Sequence, residues 1–180
     1  MQSNATTTRS VELFLEDEEI IVSKTDTKGK ITYVNRTFMR ISGFNEGDLI
    51  GSPHNVVRHP DMPRGVFRLM WNTLQKGEEF FGYVKNRCKD GNFYWVFANV
   101  TPVYSPANQQ LVGYFSVRRR PERKAIEVVT PLYQSMRDIE QSGGTSAIDQ
   151  SLLFFEQEMQ RRNTDYMSLM LAIENRESAR

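Results

Sequence analysis

The apolar positions of this chain change period several times, and each change marks an element. Ile20-Ile21-Val22 and Ile31-Thr32-Tyr33-Val34 are β-prone runs separated by Asp26-Thr27-Lys28-Gly29-Lys30, which predicts a hairpin. Asn35 follows as an N-cap, with Phe38, Met39 and Ile41 on the apolar side of a short helix that stops at Gly43. Gly47, Gly51 and Pro53 then predict a compact region of little regular structure. From Arg64 to Lys76, the positions Val66, Phe67, Met70, Trp71 and Leu74 share one helical face, with Gly77 as the C′ residue. Three more strands are expected at 80–86, 93–100 and 111–117, divided by the turn signals Lys89-Asp90-Gly91-Asn92 and Ser105-Pro106-Ala107-Asn108. The sum is an α+β domain over residues 20–120, a five-stranded antiparallel sheet with short helices on one face.

The flanks read differently. Residues 1–19 combine a Thr/Ser-rich flexible tail with Val11–Glu19, where Val11, Phe14 and Leu15 among five acids predict a short amphipathic helix. Residues 121–180 form a helical segment. Ile126, Val129, Tyr133 and Met136 step by three and four along a first helix that Pro131 is expected to kink, and Gly143-Gly144 ends it. Ser146 with Asp149 resembles a capping box. Ile148, Leu152, Phe155, Met159, Tyr166, Leu169 and Ile173 then follow a heptad-like seam with Arg162 at one expected apolar site. That seam predicts a coiled coil or helical hairpin, the alternative being a helix packed back on its own domain.

Composition narrows the class. A length of 180 residues allows one good core with appendages, and a net charge of +1 gives no footprint for nucleic acid or an anionic membrane. No apolar run approaches the roughly 20 residues of a membrane span, so no direct membrane contact is expected. The lone Cys88 excludes an internal disulfide and fits a reducing compartment, and the polar, then acidic, N-terminus is no secretory signal. The expected location is the cytoplasm.

Candidate chemistry concentrates in His54-Asn55-Val56-Val57-Arg58-His59-Pro60-Asp61-Met62-Pro63, which holds both histidines beside an arginine, an aspartate and two prolines. The prolines make it rigid and irregular. Two histidines and Asp61 form no HExxH-like or CxxC metal spacing, and no nucleophile–base pair emerges, so no enzymatic activity is expected.

Phe44-Asn45-Glu46-Gly47-Asp48-Leu49-Ile50-Gly51 resembles the aromatic-x3-[DE]-[LI]-x-G signature of PAS domains, and Lys89 to Val96 resembles their K-x-G-x-x-[YF]-W strand pair. Within that group the His54-to-Pro63 segment is similar to the motif of aerotaxis-transducer (Aer-type) energy sensors. So are Met70 to Gly77, Val84-Lys85-Asn86-Arg87, and Glu127 to Tyr133 after the sheet. The resemblance covers about residues 20–137. It implies a PAS fold holding FAD non-covalently between sheet and helices and reporting its redox state to a chemotaxis signalling module. By position, Arg58, His59 and Asp61 match the flavin-binding motif, and Asn35, Trp71, Asn86 and Asn99 match positions that line or support the pocket. Phe80 stands where relatives often carry Trp beside the flavin. The resemblance also implies a homodimer paired through the segment before the first strand.

These residues suit the ligand. Trp71, Phe80 and Tyr94 or Phe97 offer faces for a flat ring, while Asn86 and Asn99 each offer a donor and an acceptor. Arg58 can fork onto a pyrophosphate with His59 assisting, and Asp61 is expected to cap the Arg64 helix or orient Arg58. Trp71 as core packing and Asn35 as a plain N-cap are the duller readings, and Tyr114 is read as plain core. Haem ligated by His54 or His59 is the rival cofactor, although neither lies on a predicted helix face. A light-sensing flavin domain needs a cysteine in the helical region, whereas Cys88 follows a strand. A ligand-free PAS module for dimerisation is the remaining alternative.

Overall fold

Strands β1 (Ile21–Thr25), β2 (Ile31–Val34), β3 (Phe80–Arg87), β4 (Phe93–Tyr104) and β5 (Leu111–Arg119) pair antiparallel in the order β2-β1-β5-β4-β3. This is the arrangement in a computed structural model of the chain, which describes residues 10–178. The β1–β2 turn closes because the Asp26 side chain accepts the N–H groups of Lys28 and Lys30, both at 2.9 Å, while Gly29 takes φ 77°. The register sets Phe80 opposite Val100, Asn86 opposite Tyr94, Ala98 opposite Arg118 and Ser23 opposite Ser116. Alternation of side chains puts these residues on one face of the sheet.

That face is covered by the middle of the chain. Asn35 caps α1 (Arg36–Ser42) by accepting the Phe38 N–H at 3.1 Å, and Gly43 ends it at φ 70°. Between α1 and the next long helix lie α2 (Glu46–Leu49), held by an Asn45–Asp48 capping box, and a 3₁₀ turn at His54–Val57. Helix α3 (Arg64–Gln75) then crosses the sheet, with Gly77 at φ 80° just beyond it. Leu15, Phe38, Leu49, Tyr94 and Val96 form one buried cluster, and a second joins Val66, Leu74, Phe80 and Tyr83 to the C-terminal helices.

Those helices are α4 (Arg123–Ser142), α5 (Ala147–Arg161) and α6 (Tyr166–Ser178). Helix α4 runs on through Pro131, and the Thr130 hydroxyl donates to the Ile126 carbonyl at 2.6 Å. Together with the 59–62 segment, α4 covers the free edge of β3. The Tyr133 hydroxyl donates to the Tyr83 carbonyl at 3.0 Å, the Lys85 N–H to the Met62 sulfur at 3.2 Å, and the His59 N–H to the Lys85 carbonyl at 3.3 Å. Capturing these ladder groups blunts an edge that would otherwise pair with another chain.

Three expectations for the flanks need correction. Val11–Glu19 is not a helix: its first residues run extended beside the start of β4, with the Leu13 N–H donating to the Phe93 carbonyl at 2.7 Å and the Phe93 N–H to the Val11 carbonyl at 3.0 Å, and Glu16–Glu19 close a turn. Its crowded acids disfavour helix, and β4 offers open ladder groups. The Ile148–Ile173 seam is two helices, not one coiled coil. Asn163 adopts φ 51° between them, and Asp165 accepts the Ser168 N–H at 2.9 Å to restart the chain. Phe155, Met159, Tyr166 and Met170 are buried against the domain, the packed-back arrangement. Finally, Ser146 makes no capping bond, and Asp149 pairs with Arg68 at 3.1 Å. The tail expected at residues 1–9 lies outside the described residues.

Candidate functional site

A cavity of about 280 Å³ opens between the covered face of the sheet, the 3₁₀ turn and α3. Its floor comes from Ser23, Ala98, Val100, Ser116 and Arg118, one alternating set across β1, β4 and β5. Phe67, Met70 and Trp71 descend from α3, Phe80, Val84 and Asn86 stand on β3, and His54 and Arg58 enter from the turn. Pro53 at one end of the turn, and Pro60 and Pro63 beyond it, restrict the backbone that delivers His54 and Arg58. A backbone bridge between Arg58 and Asn86 fixes the turn against the edge strand.

Of the residues singled out in the sequence, Arg58, Trp71, Phe80 and Asn86 meet at this cavity. The Arg58 guanidinium lies 3.6 Å from the Phe67 ring centroid, and its Nε is buried with no hydrogen-bond partner. Burial, the nearby charge of Arg64 adding to it, lowers the Arg58 pKa. Trp71 meets Tyr114 edge-on at 5.2 Å, so Tyr114, expected as plain core, is also part of the wall. Asn86 is only 5% exposed and lines the cavity. An amide on a cavity wall offers both a donor and an acceptor to a ligand or water there.

The others lie elsewhere. The His59 ring packs edge-on against Phe93 at 5.7 Å, and its Nδ1 accepts the Asp61 N–H at 3.0 Å. Desolvation lowers the pKa of His59. Asp61 neither caps α3 nor touches Arg58. It binds Lys85 at 2.7 Å and Arg137 of α4 at 2.9 Å. Burial pushes its carboxyl up, but Lys85, His59 and Arg137 outweigh that and hold it below the usual range. Asn35 is committed to structure, accepting from Phe38 and Val22 and donating to the Ile20 carbonyl at 2.8 Å. Asn99 points to the other face of β4, where it binds Glu79 at 3.0 Å. Phe97 shares that far face and packs on Tyr83 at 4.9 Å.

The residue that sequence reasoning missed is Arg118. It is 7% exposed, and its Nη2 donates to His54 Nε2 at 2.7 Å and to Ser23 Oγ at 3.1 Å. Its Nη1 is buried without a partner. Donation from Nη2 makes His54 Nε2 the acceptor, so the ring proton sits on Nδ1. Burial, reinforced by the Arg118 charge, pushes His54 down to about 3, and burial takes Arg118 down to about 10. The signal was present in the alternation, since Arg118 follows Tyr114 and Ser116 at steps of two on the covered face. The run Arg118-Arg119-Arg120 disguised it as the basic end of a strand. Among the cavity's wall residues are Lys28, Arg58 and Arg118 but no carboxylate. Such a site suits a flat, apolar ligand with an electron-rich or anionic edge.

The family model for the PAS fold matches residues 31–117. The aerotaxis receptor of Escherichia coli (strain K12) is 45% identical over 122 residues, which are 68% of this chain and 24% of that protein. The chain belongs to the PAS family, and its PAS domain is of the Aer type. The nitrogen fixation regulatory protein of Klebsiella pneumoniae is 30% identical over 105 residues, 58% of this chain and 21% of that relative. The chain therefore spans less than a quarter of either relative's length. The light-state structure of the blue-light photoreceptor Aureochrome1 LOV shares the fold with a TM-score of 0.55 at 16% identity, over 64% of this chain and 90% of that one. Cys88 of this PAS domain does not reach the cavity; its thiol donates to the Ile41 carbonyl at 3.2 Å, and burial pushes it up to about 12. Among the described residues no helix is long and apolar enough to cross a membrane, and no His/Cys/Asp/Glu group can hold a metal ion.

Proposed function

We propose that this PAS domain is a sensor that binds FAD in the cavity and reports the flavin's redox state, as an energy or oxygen signal, to a chemotaxis signalling module. The observation that carries this reading is the Asn86 amide on the wall of a cavity lined by Phe67, Trp71 and Phe80, with the buried, unsatisfied Nε of Arg58 on the same wall. One amide offers both a donor and an acceptor, which the edge of an isoalloxazine ring requires. The cavity has the scale of a flat ring system and not of a whole dinucleotide, so the phosphates must lie towards its mouth. Arg58, with Nε unsatisfied, is the cavity residue suited to grip them. Bound flavin supplies reversible electron uptake, and the polar groups facing it must adjust when its charge changes.

The route outward is short. Phe80 stacks on Tyr166 of α6 at 5.3 Å, and Asp61 ties the motif loop to Arg137 of α4. Residues 20–120 thus serve as the sensor and 121–180 as the relay, in a cytoplasmic homodimer with no enzymatic step. The rival haem reading is disfavoured by geometry: His54 Nε2 is taken by Arg118 and Ser23, and His59 is not part of the cavity wall. An absorption spectrum of the purified protein, with the chromophore then released by heat, tests the reading. The twin bands of oxidised flavin with FAD in the supernatant are expected. A Soret band, or a colourless protein that takes up no added FAD, overturns it.

A further inference from the structure

Arg118 carries a buried charge in the cavity wall that no carboxylate pairs. The groups that face it are Ser23 from β1, His54 from the 3₁₀ turn, the Tyr94 hydroxyl from β4 and the Phe38 ring from α1, 5.5 Å away. None is an anion, and the second guanidinium, Arg58, acts on the same His54 with the same sign. The Tyr94 hydroxyl is likewise buried without a partner. Taking a guanidinium out of water without a counter-charge is costly, and such groups are held by paired anions or neutralised by what binds beside them. The cavity offers no carboxylate.

We propose that Arg118, held in place by His54 and Ser23, is the counter-charge of the cavity's ligand and sets the flavin's redox potential by stabilising the negative charge of its reduced form. This rests on the flavin reading. When a two-electron reductant such as dithionite delivers two electrons, the ring takes up one proton and keeps one negative charge beside the fixed cation. His54, neutral and already accepting from Arg118, does not compete for that charge. A fixed cation close to a ring favours its reduced anionic form, and the potential rises accordingly.

The test is a reductive titration of the flavin-loaded protein from pH 6 to 8, compared with R118Q and R118K. One proton per two electrons makes the wild-type midpoint fall by about 30 mV per pH unit, since a tenfold change converts to about 30 mV for two electrons. A fall of twice that means a neutral reduced ring and overturns the proposal without any variant. R118Q, titrated with flavin in excess of its Kd, is expected to hold the reduced form at least about tenfold less tightly relative to the oxidised one, a midpoint lower by about 30 mV or more. R118K should recover part of the loss. Equal midpoints in wild type and R118Q overturn the role of Arg118 while leaving flavin binding intact. A wild-type protein that binds no flavin sinks both readings, and an unstable R118Q leaves the wild-type slope to decide.

Discussion

Glu140 caps a helix to which it does not belong: its Oε1 accepts the Gly65 N–H of α3 at 2.8 Å from its place on α4. Its Oε2 accepts the Arg64 N–H at 2.8 Å, and the Ser151 hydroxyl of α5 donates to Oε1 at 2.8 Å. Pro63, the residue in the cap position of α3, has no side-chain acceptor, so the first N–H groups of the helix depend on this carboxylate. A side chain at position 65 would meet Ser151 Oγ at 2.7 Å and Met136 Cε at 2.9 Å, so both buried side chains would have to shift to admit it. Three helices therefore meet at the residues that follow the Arg58–Asp61 loop.

Glu140→Ala should cost about 1–2 kcal/mol, the loss of a cap together with the charge facing the helix dipole. Urea denaturation followed by circular dichroism measures it. A midpoint unchanged from wild type would mean that solvent replaces the carboxylate and that the three-helix junction is not held by it.

Tyr166 connects the cavity wall to the C-terminal helices. Its ring lies on Phe80 at 5.3 Å and against Phe155 at 5.2 Å, and its hydroxyl is 3.4 Å from that of Tyr133. Tyr166→Ala removes a buried aromatic, at about 3 kcal/mol or more by comparison with other aromatic truncations. The loss falls on the docking of α6. Trypsin should then cut faster at Arg161 and Arg162, which are exposed at the C-terminal end of α5. Cleavage at the wild-type rate would show that α6 is anchored by other contacts, such as the Tyr83 hydroxyl to Glu174 at 2.7 Å.

Acid should destabilise the fold before its carboxylates titrate. His54 protonates near 6.5 when unfolded, but burial and Arg118 push it down to about 3 in the native state. Between those values the unfolded chain binds one more proton, so stability falls as pH falls, by up to about 1.4 kcal/mol per pH unit. His59, lowered by desolvation, adds in the same direction over part of that range. His54→Gln keeps an acceptor for Arg118 without a titrating ring. Its urea midpoint should drop less than that of wild type between pH 7 and pH 5, and parallel curves would place the acid sensitivity elsewhere.

The sheet and its short helices were readable because their signals are local: the Asp26 turn, Asn35 at the head of α1, Gly43 and Gly77 at helix ends. What failed was decided by tertiary contacts. Val11–Glu19 has apolar residues at helical spacing, yet the open start of β4 pairs with it instead. The heptad-like seam persists across Arg162 in sequence, but Asn163 at φ 51° turns the chain back. Asp61 looked like a cap because it precedes Arg64, whereas the true cap arrives from 75 residues away in Glu140. Asn86 and Asn99 were alike in sequence, and strand parity alone separates them, one at the cavity and one on the opposite face. Arg118 needed the register of β5 against β1 and β4 before its burial was visible.

Arg58 should distinguish phosphate recognition from ring recognition. Its guanidinium is stacked on Phe67 at 3.6 Å, so its plane is fixed, and Nε is a buried donor without an acceptor. If it forks onto the phosphates of FAD, Arg58→Ala loses a charge-assisted hydrogen bond of about 1.5–3 kcal/mol, roughly a tenfold to hundredfold weaker Kd. Riboflavin, which carries no phosphate, should bind wild type and variant within about twofold, since truncation leaves the apolar walls in place. Arg58→Lys restores charge but neither the fork nor the stack, and is expected to recover little. Fluorescence quenching titrations with FAD and riboflavin measure both. An equal loss for the two ligands would move Arg58 from the phosphates to the ring or to the integrity of the cavity itself, because only a contact beyond the ring can tell the two apart.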